Sequence, residues 1–449
     1  MIRKIMNDHK ELRLLLVPDS IHWVTGTMAK EIASKVKGIN PIICSAPLLH
    51  ELITQHGGSF PILFDVVHFL TPYIATAFWP VFSPTSACVA SIHHIDNDLN
   101  KEPASYSDSI MTVCQEWHNQ LILEGVDEER LVMVRNGINT EVFYPSSLNE
   151  RDQLRRQYCI PEDSFVIGFS AKKSSDSSNR KGINVLEKLI AESRTNSSSV
   201  WWVIRGPGWQ NLVDEQSQLG ANIIYLPFLL EQEDVAKSYR LMDAYIVTSR
   251  IEGGPVPLFE AMSSGLSCIS TKVGLAPEIM EDGKNGFLVD FDDLEKFSTL
   301  ISQLEKDKEL RSRIGISARD AIVNNLQWEK TLDNVPILYE KATSAFSKRA
   351  EYIEKKNINA PNDKWSESYL RKWIQKRELL VLINLLNREG ESITSCKLAE
   401  SKLREYWMDL EIWYLYFEHS NFAKILKPTK KVISNVKTSI KNIIKMLLN

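Results

Sequence analysis

Two glutamates in the middle of the chain have the spacing to bind one extended ligand that carries both hydroxyl groups and a phosphate. Glu252 and Glu260 are separated by seven residues, and Gly253 and Gly254 directly follow the first of them. Carboxylates accept charge-assisted hydrogen bonds from hydroxyl groups, and such bonds are about twice as strong as neutral ones. Adjacent glycines let a ligand approach the backbone closely. These residue types therefore predict a binding site for a nucleotide sugar.

A strand and a helix must position these glutamates. Residues 243–248 form a β-branched and aromatic run, which is typical of a buried parallel strand. Pro257 suits the first position of a helix, because its missing N–H would be unbonded there, and the helical pattern continues through residues 258–264. The start of a helix offers free N–H groups and the positive end of the dipole. We therefore expect a phosphate to bind at this turn.

The same stretch resembles a motif of a known enzyme family. Glu252 and Glu260, followed by Ala261-Met262 and Gly265, resemble the Glu-x7-Glu motif of the retaining family-4 glycosyltransferases, which have the GT-B fold. Four further segments are similar to family segments: Asn136-Gly137, 270–278, 282–289 and 326–330.

The resemblance extends from about residue 12 to residue 345 and implies an α/β protein of the GT-B class. In that fold two doubly wound, Rossmann-like domains face a cleft, and we expect them at residues 1–145 and 146–345. The family needs no metal and no cofactor besides its donor substrate. Its acceptor is described as attacking the donor sugar on the same face from which the leaving group departs. We expect a UDP- or GDP-sugar donor, a glycan or lipid-linked acceptor, and no nucleic-acid partner.

The resemblance also implies a role for each group of the turn. Glu252, on the loop, is expected to bind sugar hydroxyls, and Glu260, in the first turn of the helix, the ribose. The backbone N–H groups of Val256 and Leu258 are expected to bind the phosphate, since the prolines beside them have no N–H to donate.

Six apolar runs in the first 145 residues alternate with helical stretches, as in a doubly wound half. The loop at 18–27 follows the first run, and ligands of such sheets bind where strands end. The resembled family has a Gly pair in this loop, whereas only Gly26 is available here, beside His22 and Trp23. The predicted strands are 12–17, 41–45, 64–69, 87–92, 110–114 and 131–134.

A histidine pair, His93-His94, follows the fourth predicted strand. His93 matches the family's histidine at this strand end, which implies a contact with the donor sugar or phosphate across the cleft. The alternative is that the pair caps the strand or is bonded within the core. Residues 96–98, Asp-Asn-Asp, are similar to a metal-binding motif of a different glycosyltransferase fold, and we interpret them as a polar turn.

A polar, basic loop at 172–182 follows the strand predicted at 165–170. In the resembled family, a basic residue just after this strand and the lysine of a Lys-Gly pair neutralise the donor diphosphate. Lys181 matches the second of these. The first, usually Arg, is Lys172 or Lys173 here, and a lysine cannot form the bidentate fork of an arginine. The alternative for all three is a solvated basic loop. Further strands are predicted at 200–205 and 222–225.

The composition of the chain limits the number of domains and the kinds of site that it can form. At 449 residues, with 43% hydrophobic and 24% charged residues, the chain is expected to form two or three domains. Its six cysteines have no Cys-x-x-Cys spacing, so neither a disulfide framework nor a zinc site is indicated. No secretory signal opens the chain, and no run approaches the ~18 apolar residues of a membrane span. We expect a cytoplasmic location.

The C-terminal part of the chain has a different charge. Residues 346–449 carry 20 Lys and Arg against 12 Asp and Glu, a net +8, whereas residues 1–345 have a net −12. We predict a helical appendage over 346–449, with a linker at 351–364. Residues 427–449 have the pattern of a basic amphipathic helix, which favours binding to the anionic inner face of the cytoplasmic membrane; the alternative is a helix packed on its own protein. The last lysines are Lys424, Lys427, Lys430, Lys431, Lys437, Lys441 and Lys445.

Two other classes of protein fit the same sequence. One is a GT-B-fold protein without transferase activity that acts as a partner or scaffold, which the lysine in place of the family's arginine favours. The other is a related enzyme, either a nucleotide-sugar epimerase or a phosphorylase, and a phosphorylase would need a pyridoxal-binding lysine. For a transferase, bacterial surface polysaccharide or lipopolysaccharide synthesis is the setting that the family suggests.

Overall fold

Two parallel sheets of six strands each form the framework of the part of the chain that is described. The computed structural model describes residues 11–56, 60–95, 101–173, 180–196 and 199–356. The predicted turn at 96–98, part of the loop at 172–182, and the appendage beyond residue 356 with its predicted membrane helix lie outside the described residues.

The first sheet has helices on both faces. Its strands are β1 (Leu12–Val17), β2 (Ile39–Ile43), β3 (Val66–Phe69), β4 (Ala87–Ile92), β5 (Ser109–Thr112) and β6 (Leu131–Met133). Their order is β2-β1-β3-β4-β5-β6, with parallel pairing throughout. Leu14 and Leu16 on one face of β1, and Leu15 and Val17 on the other, are all fully buried, because the sheet is covered on both sides. The covering helices include α1 (Val24–Lys35), α2 (Ala46–His56), α3 (Pro72–Phe82) and α4 (Gln115–Leu123).

The second sheet repeats this arrangement. Its strands are β7 (Phe165–Ser170), β8 (Val200–Arg205), β9 (Asn222–Leu226), β10 (Ala244–Val247), β11 (Ser267–Thr271) and β12 (Phe287–Val289). Their order is β12-β11-β10-β7-β8-β9, again with parallel pairing. The two sheets confirm the predicted class of two doubly wound α/β domains. The helices of this half are α5 (Leu148–Gln157), α6 (Ile183–Asn196), α7 (Gln210–Gln218), α8 (Gln232–Arg240), α9 (Val256–Ser263), α10 (Ala276–Ile279), α11 (Leu294–Lys306), α12 (Lys308–Asn325) and α13 (Trp328–Thr331).

The last described helix, α14 (Val335–Lys356), returns to the first sheet. Tyr339 Oη on this helix lies 3.0 Å from Nδ1 of His68 on β3, and Arg349 forms an ion pair with Asp108 at 2.9 Å. The helix continues past residue 345, and the predicted linker is therefore wrong for residues 351–356. Those residues are Glu, Tyr, Ile and Lys, which a helix accepts readily, and no Gly or Pro interrupts them.

Candidate functional site

A cleft of about 640 Å³ lies between the two domains, and both domains line it with residues that follow their strands. Residues after β1 and β6 contribute from the first domain, including Asp19, Trp23 and Asn136. Residues after β7, β8 and β10 contribute from the second, including Lys172 and Glu252. The carboxyl ends of parallel strands are where α/β sheets bind ligands. Most of the predicted site residues line this cleft.

Glu252 lies on the loop between β10 and α9, and cations from another loop contact its carboxylate. Its carboxylate accepts hydrogen bonds from Lys181 Nζ at 2.5 Å and from Ser249 Oγ at 2.7 Å, and Arg180 Nη1 lies 3.9 Å away. Burial alone would raise the pKa of this carboxyl, but the two cations and the hydroxyl outweigh burial and leave the pKa below its usual value. Glu252 is therefore ionised at neutral pH, next to the basic loop.

The structure separates the two lysines that the sequence left as alternatives. Lys172 lines the cleft, and its Nζ lies 6.0 Å from the ring centroid of Trp23 in the opposite domain. Lys173 instead pairs with Glu187 at 3.4 Å and lies over the ring of Trp209. Lys172 is therefore the lysine of this pair that can reach a ligand.

Arg180 is a further cation of the cleft, and our sequence reasoning missed it. Arg180 directly precedes Lys181, and both line the cleft. Its planar guanidinium can offer two parallel donors to a phosphate, which a lysine cannot. Gly182 permits this placement, since its φ is +62° and a Cβ there would lie 1.8 Å from the backbone oxygen of Thr248. The available signal was the Arg-Lys-Gly sequence at 180–182, of which only Lys-Gly was considered.

The turn before α9 differs from the prediction. Pro255 has φ −69° and ψ 77°, which closes a three-residue turn in which Val256 N–H donates to Gly254 O at 2.7 Å. Leu258 N–H donates to Pro255 O at 2.8 Å. The predicted phosphate contact through the N–H groups of Val256 and Leu258 is therefore wrong for this conformation, because both already have acceptors within the loop. Pro257 occupies the second helical position rather than the first.

The two glycines of this loop have different surroundings. A Cβ on Gly253 would lie 1.8 Å from the backbone oxygen of His93, so Gly253 sits directly against the first domain. Gly254 lines the cleft. Trp117 of α4 also donates its indole N–H to the backbone oxygen of Glu252 at 2.8 Å. The first domain thus fixes the loop that carries Glu252, and Gly254 is the glycine that a ligand can approach.

Glu260 lies in the second turn of α9, not in the first turn as predicted. Its carboxylate accepts a hydrogen bond from Tyr239 Oη at 2.7 Å, and Arg205 Nη2 lies 3.7 Å away. Burial raises the pKa of Glu260, and the opposing effects of Arg205 and Tyr239 do not cancel that rise. Arg205 and Tyr239 were not foreseen, because they come from β8 and α8, which are distant in sequence from the glutamate they contact.

Three predicted site residues, Gly253, His93 and Gly26, are not among the residues that line the cleft. His93 Nε2–H donates to Leu70 O at 2.8 Å, and burial lowers the pKa of its imidazole. The ring is thus neutral at pH 7 and bonded within the first domain, which was the alternative left open for it. Gly26 lies in the first turn of α1 rather than in a loop, and a Cβ there would lie 2.3 Å from the backbone of Ile21. Gly26 therefore lets the helix pack on the turn that precedes it.

The described ranges show neither a metal-binding cluster nor a disulfide bond. No group of three or more His, Cys, Asp or Glu side chains in these ranges is arranged to hold a metal ion. The described cysteines Cys44, Cys88, Cys114, Cys159 and Cys268 are free thiols. Nor does any helix between residues 11 and 356, outside the undescribed gaps, have the length and apolar character to cross a membrane.

Residues 150–321 match the family model described as glycosyl transferases group 1. Residues 150–321 are therefore called the group 1 domain. This group 1 domain runs from α5 into α12 and contains both glutamates of the Glu-x7-Glu spacing, together with every lysine and arginine found among the described cleft residues.

Several curated proteins are similar to the group 1 domain and its surroundings. Spore coat protein SA of Bacillus subtilis (strain 168) is 25% identical over 224 residues, which are 46% of this chain and 58% of that protein. The UDP-Gal:alpha-D-GlcNAc-diphosphoundecaprenol alpha-1,3-galactosyltransferase of Escherichia coli is 24% identical over 215 residues, 48% of this chain and 55% of that protein. The chain thus spans little more than half the length of these relatives.

Solved structures show the same fold around the group 1 domain. The Anabaena protein HepE, crystallised with UDP and glucose, has a TM-score of 0.61 at 18% identity and covers 74% of this chain and 100% of its own. The sucrose-phosphate synthase of Thermosynechococcus elongatus has a TM-score of 0.61 at 14% identity, covering 75% of this chain and 100% of its own. These likenesses establish the GT-B fold.

Proposed function

We propose that this protein is a retaining glycosyltransferase that moves a sugar from a nucleoside diphosphate donor to a glycan or lipid-linked acceptor. The observation that carries the proposal is the 2.5 Å contact between Glu252 and Lys181, with Arg180 beside them, in the cleft of a group 1 domain. A carboxylate for hydroxyl groups and two cations for phosphates meet at one point there. That combination suits a ligand in which a sugar is joined to a phosphate.

The donor's diphosphate is assigned to three cations of the cleft. Lys172, Arg180 and Lys181 neutralise the charge that develops as the diphosphate leaves. The bound diphosphate places a second anion beside Lys181, so Glu252 becomes available to accept hydrogen bonds from the donor sugar. Glu260 is assigned to the ribose.

The proposed reaction joins the acceptor oxygen to the anomeric carbon on the face from which the diphosphate departs. The bond between that carbon and the phosphate oxygen breaks, and the acceptor's hydroxyl proton passes to the departing diphosphate. The carboxylates among the described cleft residues are Asp19, Glu252 and Glu260, and each accepts hydrogen bonds from neighbouring protein groups. Because Glu252 is assigned to the donor's sugar hydroxyls and Glu260 to the ribose, neither is assigned as a nucleophile, and the proposed route has no covalent enzyme intermediate.

The names of similar proteins support two donor bases. HepE was crystallised with UDP-glucose, and the Escherichia coli relative is named for UDP-Gal. A relative from Mycolicibacterium smegmatis is named a GDP-mannose-dependent mannosyltransferase. We therefore assign a UDP- or GDP-sugar as the donor of this protein.

Thermal unfolding with UDP-, GDP-, ADP- and dTDP-sugars, each compared with its free diphosphate, tests the donor site. A ligand at about one hundred times its dissociation constant adds about 2.7 kcal/mol to stability, so one nucleotide series is expected to raise the melting temperature. Glu252→Gln is expected to abolish the extra effect of the sugar over the diphosphate, and to abolish transfer.

The matched control is Glu281→Gln, which changes an exposed carboxylate that pairs with Lys284 outside the cleft. Two results would contradict the proposal. One is that no nucleotide stabilises the wild type, and the other is that Glu252→Gln keeps full transfer activity.

We also propose that the enzyme acts at the cytoplasmic face of a bacterial membrane in surface polysaccharide or lipopolysaccharide synthesis. The support is the sequence of residues 424–449, which has seven lysines and no acidic residue. Flotation with phosphatidylglycerol vesicles tests this in the full chain. Replacing Lys437, Lys441 and Lys445 by glutamine should release the protein, replacing them by arginine should not, and equal binding by both variants would rule out the electrostatic anchor.

A further inference from the structure

The two walls of the cleft carry opposite charge. Among the described residues that line it, lysine and arginine come from the second domain alone, whereas the one Asp or Glu that the first domain contributes is Asp19. The proposed donor diphosphate lies beside the cations. The wall left for the acceptor of the proposed reaction has a negative formal charge among its described residues. The cations are Lys172, Arg180, Lys181 and Arg205.

This first-domain wall presents hydrogen-bond acceptors. Asn136 is 2% exposed, and its Oδ1 is buried without a hydrogen-bond partner in the described structure. A buried acceptor left in this state is destabilising, so the site favours a ligand that supplies a donor. The Oδ1 atom of Asp19 accepts from the N–H of Ser20 and from the Thr25 hydroxyl, and no described group donates to its Oδ2.

An aromatic ring lies on the same wall. Trp23 is 37% exposed and reaches across the cleft to within 6.0 Å of Lys172 Nζ. The ring is therefore close to the cations assigned to the leaving group. Its flat apolar face suits the C–H face of a pyranose ring. Such packing buries apolar surface on both rings, while the hydroxyl groups at the edge of the sugar remain able to form hydrogen bonds.

We propose that the acceptor ring carrying the attacking hydroxyl is an uncharged sugar. Its hydroxyl groups donate to Asn136 Oδ1 and to Asp19, and its apolar face packs on Trp23. A phosphate or carboxylate on that ring would bring negative charge close to Asp19, and in place of a hydroxyl group it would have no proton to donate to Asn136 Oδ1. The proposal rests on the proposed function. It distinguishes this chain from relatives named for an anionic substrate, such as the D-inositol 3-phosphate glycosyltransferase of Thermomonospora curvata.

Saturation-transfer NMR on the full chain with bound UDP or GDP tests the proposal. The probes are matched pairs: glucose with glucose 6-phosphate, mannose with mannose 6-phosphate, and N-acetylglucosamine with its 6-phosphate. In at least one pair the neutral sugar is expected to bind at least tenfold more tightly than its phosphate. Glucosamine, whose ammonium group would also suit a carboxylate, is expected to show no advantage over glucose.

Variants of two partly exposed residues locate the binding site. Trp23→Ala is expected to weaken binding of the neutral sugar at least tenfold. Asp19→Lys is expected to shift the preference toward the phosphorylated member of the pair, with nucleotide affinity unchanged in both variants. Glu129→Gln, which removes an exposed carboxylate from the same domain outside the cleft, serves as the control and is expected to change neither affinity.

The outcomes separate this proposal from the proposed function. Tighter binding of the phosphorylated members, selective binding of glucosamine, or no binding by any sugar while the nucleoside diphosphate still binds would overturn the uncharged acceptor. Unchanged sugar binding in both cleft variants would overturn the placement on this wall. Absence of nucleotide binding in the wild type would instead contradict the proposed function itself.

Discussion

The guanidinium of Arg205 lies 3.7 Å from the carboxylate of Glu260. Tyr239 connects them, since its hydroxyl accepts from Arg205 at 2.7 Å and donates to Glu260 at 2.7 Å. Arg205 is itself 7% exposed and stacks on the Tyr239 ring. A fixed positive charge therefore lies beside the glutamate assigned to the ribose.

Arg205→Met is expected to make nucleotide binding more sensitive to acid. Burial already raises the pKa of Glu260, and removal of the nearby cation raises it further, so the carboxylate protonates at higher pH and stops accepting the ribose hydroxyls. We expect at least a tenfold greater loss of UDP or GDP affinity between pH 8 and pH 6 than in the wild type. Titration calorimetry at both pH values measures this, and Arg205→Lys, which keeps the charge, is the control. Parallel pH profiles for wild type and Arg205→Met would contradict the coupling.

Lys181→Met and Lys173→Met form a matched pair of charge removals in one loop. Lys181 contacts Glu252 in the cleft, whereas Lys173 pairs with Glu187. The first substitution is expected to weaken nucleoside diphosphate binding at least tenfold, about 1.4 kcal/mol, and the second less than twofold. Direct binding measurements at low and high salt distinguish the two. Equal losses would mean that the loop acts only through its overall charge.

His68 is expected to make folding stability depend on pH. Burial, with a smaller effect of His93, lowers the pKa of His68 from 6.5 to about 3, so between these values the unfolded chain binds a proton that the folded chain excludes. The stability from this group is therefore full above pH 6.5 and falls as the pH falls, by about 2 kcal/mol between pH 7 and pH 5. Urea unfolding of the wild type and His68→Gln at both pH values measures the difference. A glutamine keeps hydrogen-bonding groups but does not titrate, so an equal pH effect in both proteins would refute the assignment.

Gly253→Ala is expected to disturb the contact between the domains. Its Cβ would lie 1.8 Å from the backbone oxygen of His93, which cannot move as a flexible side chain could. We expect a loss of stability of about 1–3 kcal/mol and a larger radius of gyration by X-ray scattering. Gly254→Ala is the control, because its Cβ meets a side-chain amide at 3.2 Å. A scattering curve for Gly253→Ala that superposes on the wild type would show that the contact is not needed for closure.

The strands could be predicted well from the sequence because the sheets are parallel and covered on both faces. Such strands are continuous apolar runs, so β1 and β4 have the predicted bounds of 12–17 and 87–92. The spacing of the two glutamates along the sequence also indicated a site formed by one loop and the helix after it. Both glutamates line the cleft as expected.

The details of the site depend on information that a local pattern does not contain. Whether the N–H groups of Val256 and Leu258 are free depends on the ψ angle of Pro255, which closes the turn. The partners of Glu260 come from other elements of the fold. Gly26 was assigned to a loop because the family has glycines there, whereas the helix begins earlier, at Val24.

Helix α14 carries the chain back onto the first sheet, so the last described residue, Lys356, belongs to the domain that forms the proposed acceptor wall. With residues 427–449 bound to lipid as proposed, that domain is the one tethered to the bilayer. The second domain contacts it where Ile138 N–H donates to Leu326 O at 2.6 Å, and under the proposed function the second domain receives the nucleotide donor from solution. Spent nucleotide could then exchange while the growing glycan stays at the surface. Elongation rate would follow the lateral density of acceptors in the membrane rather than their bulk concentration.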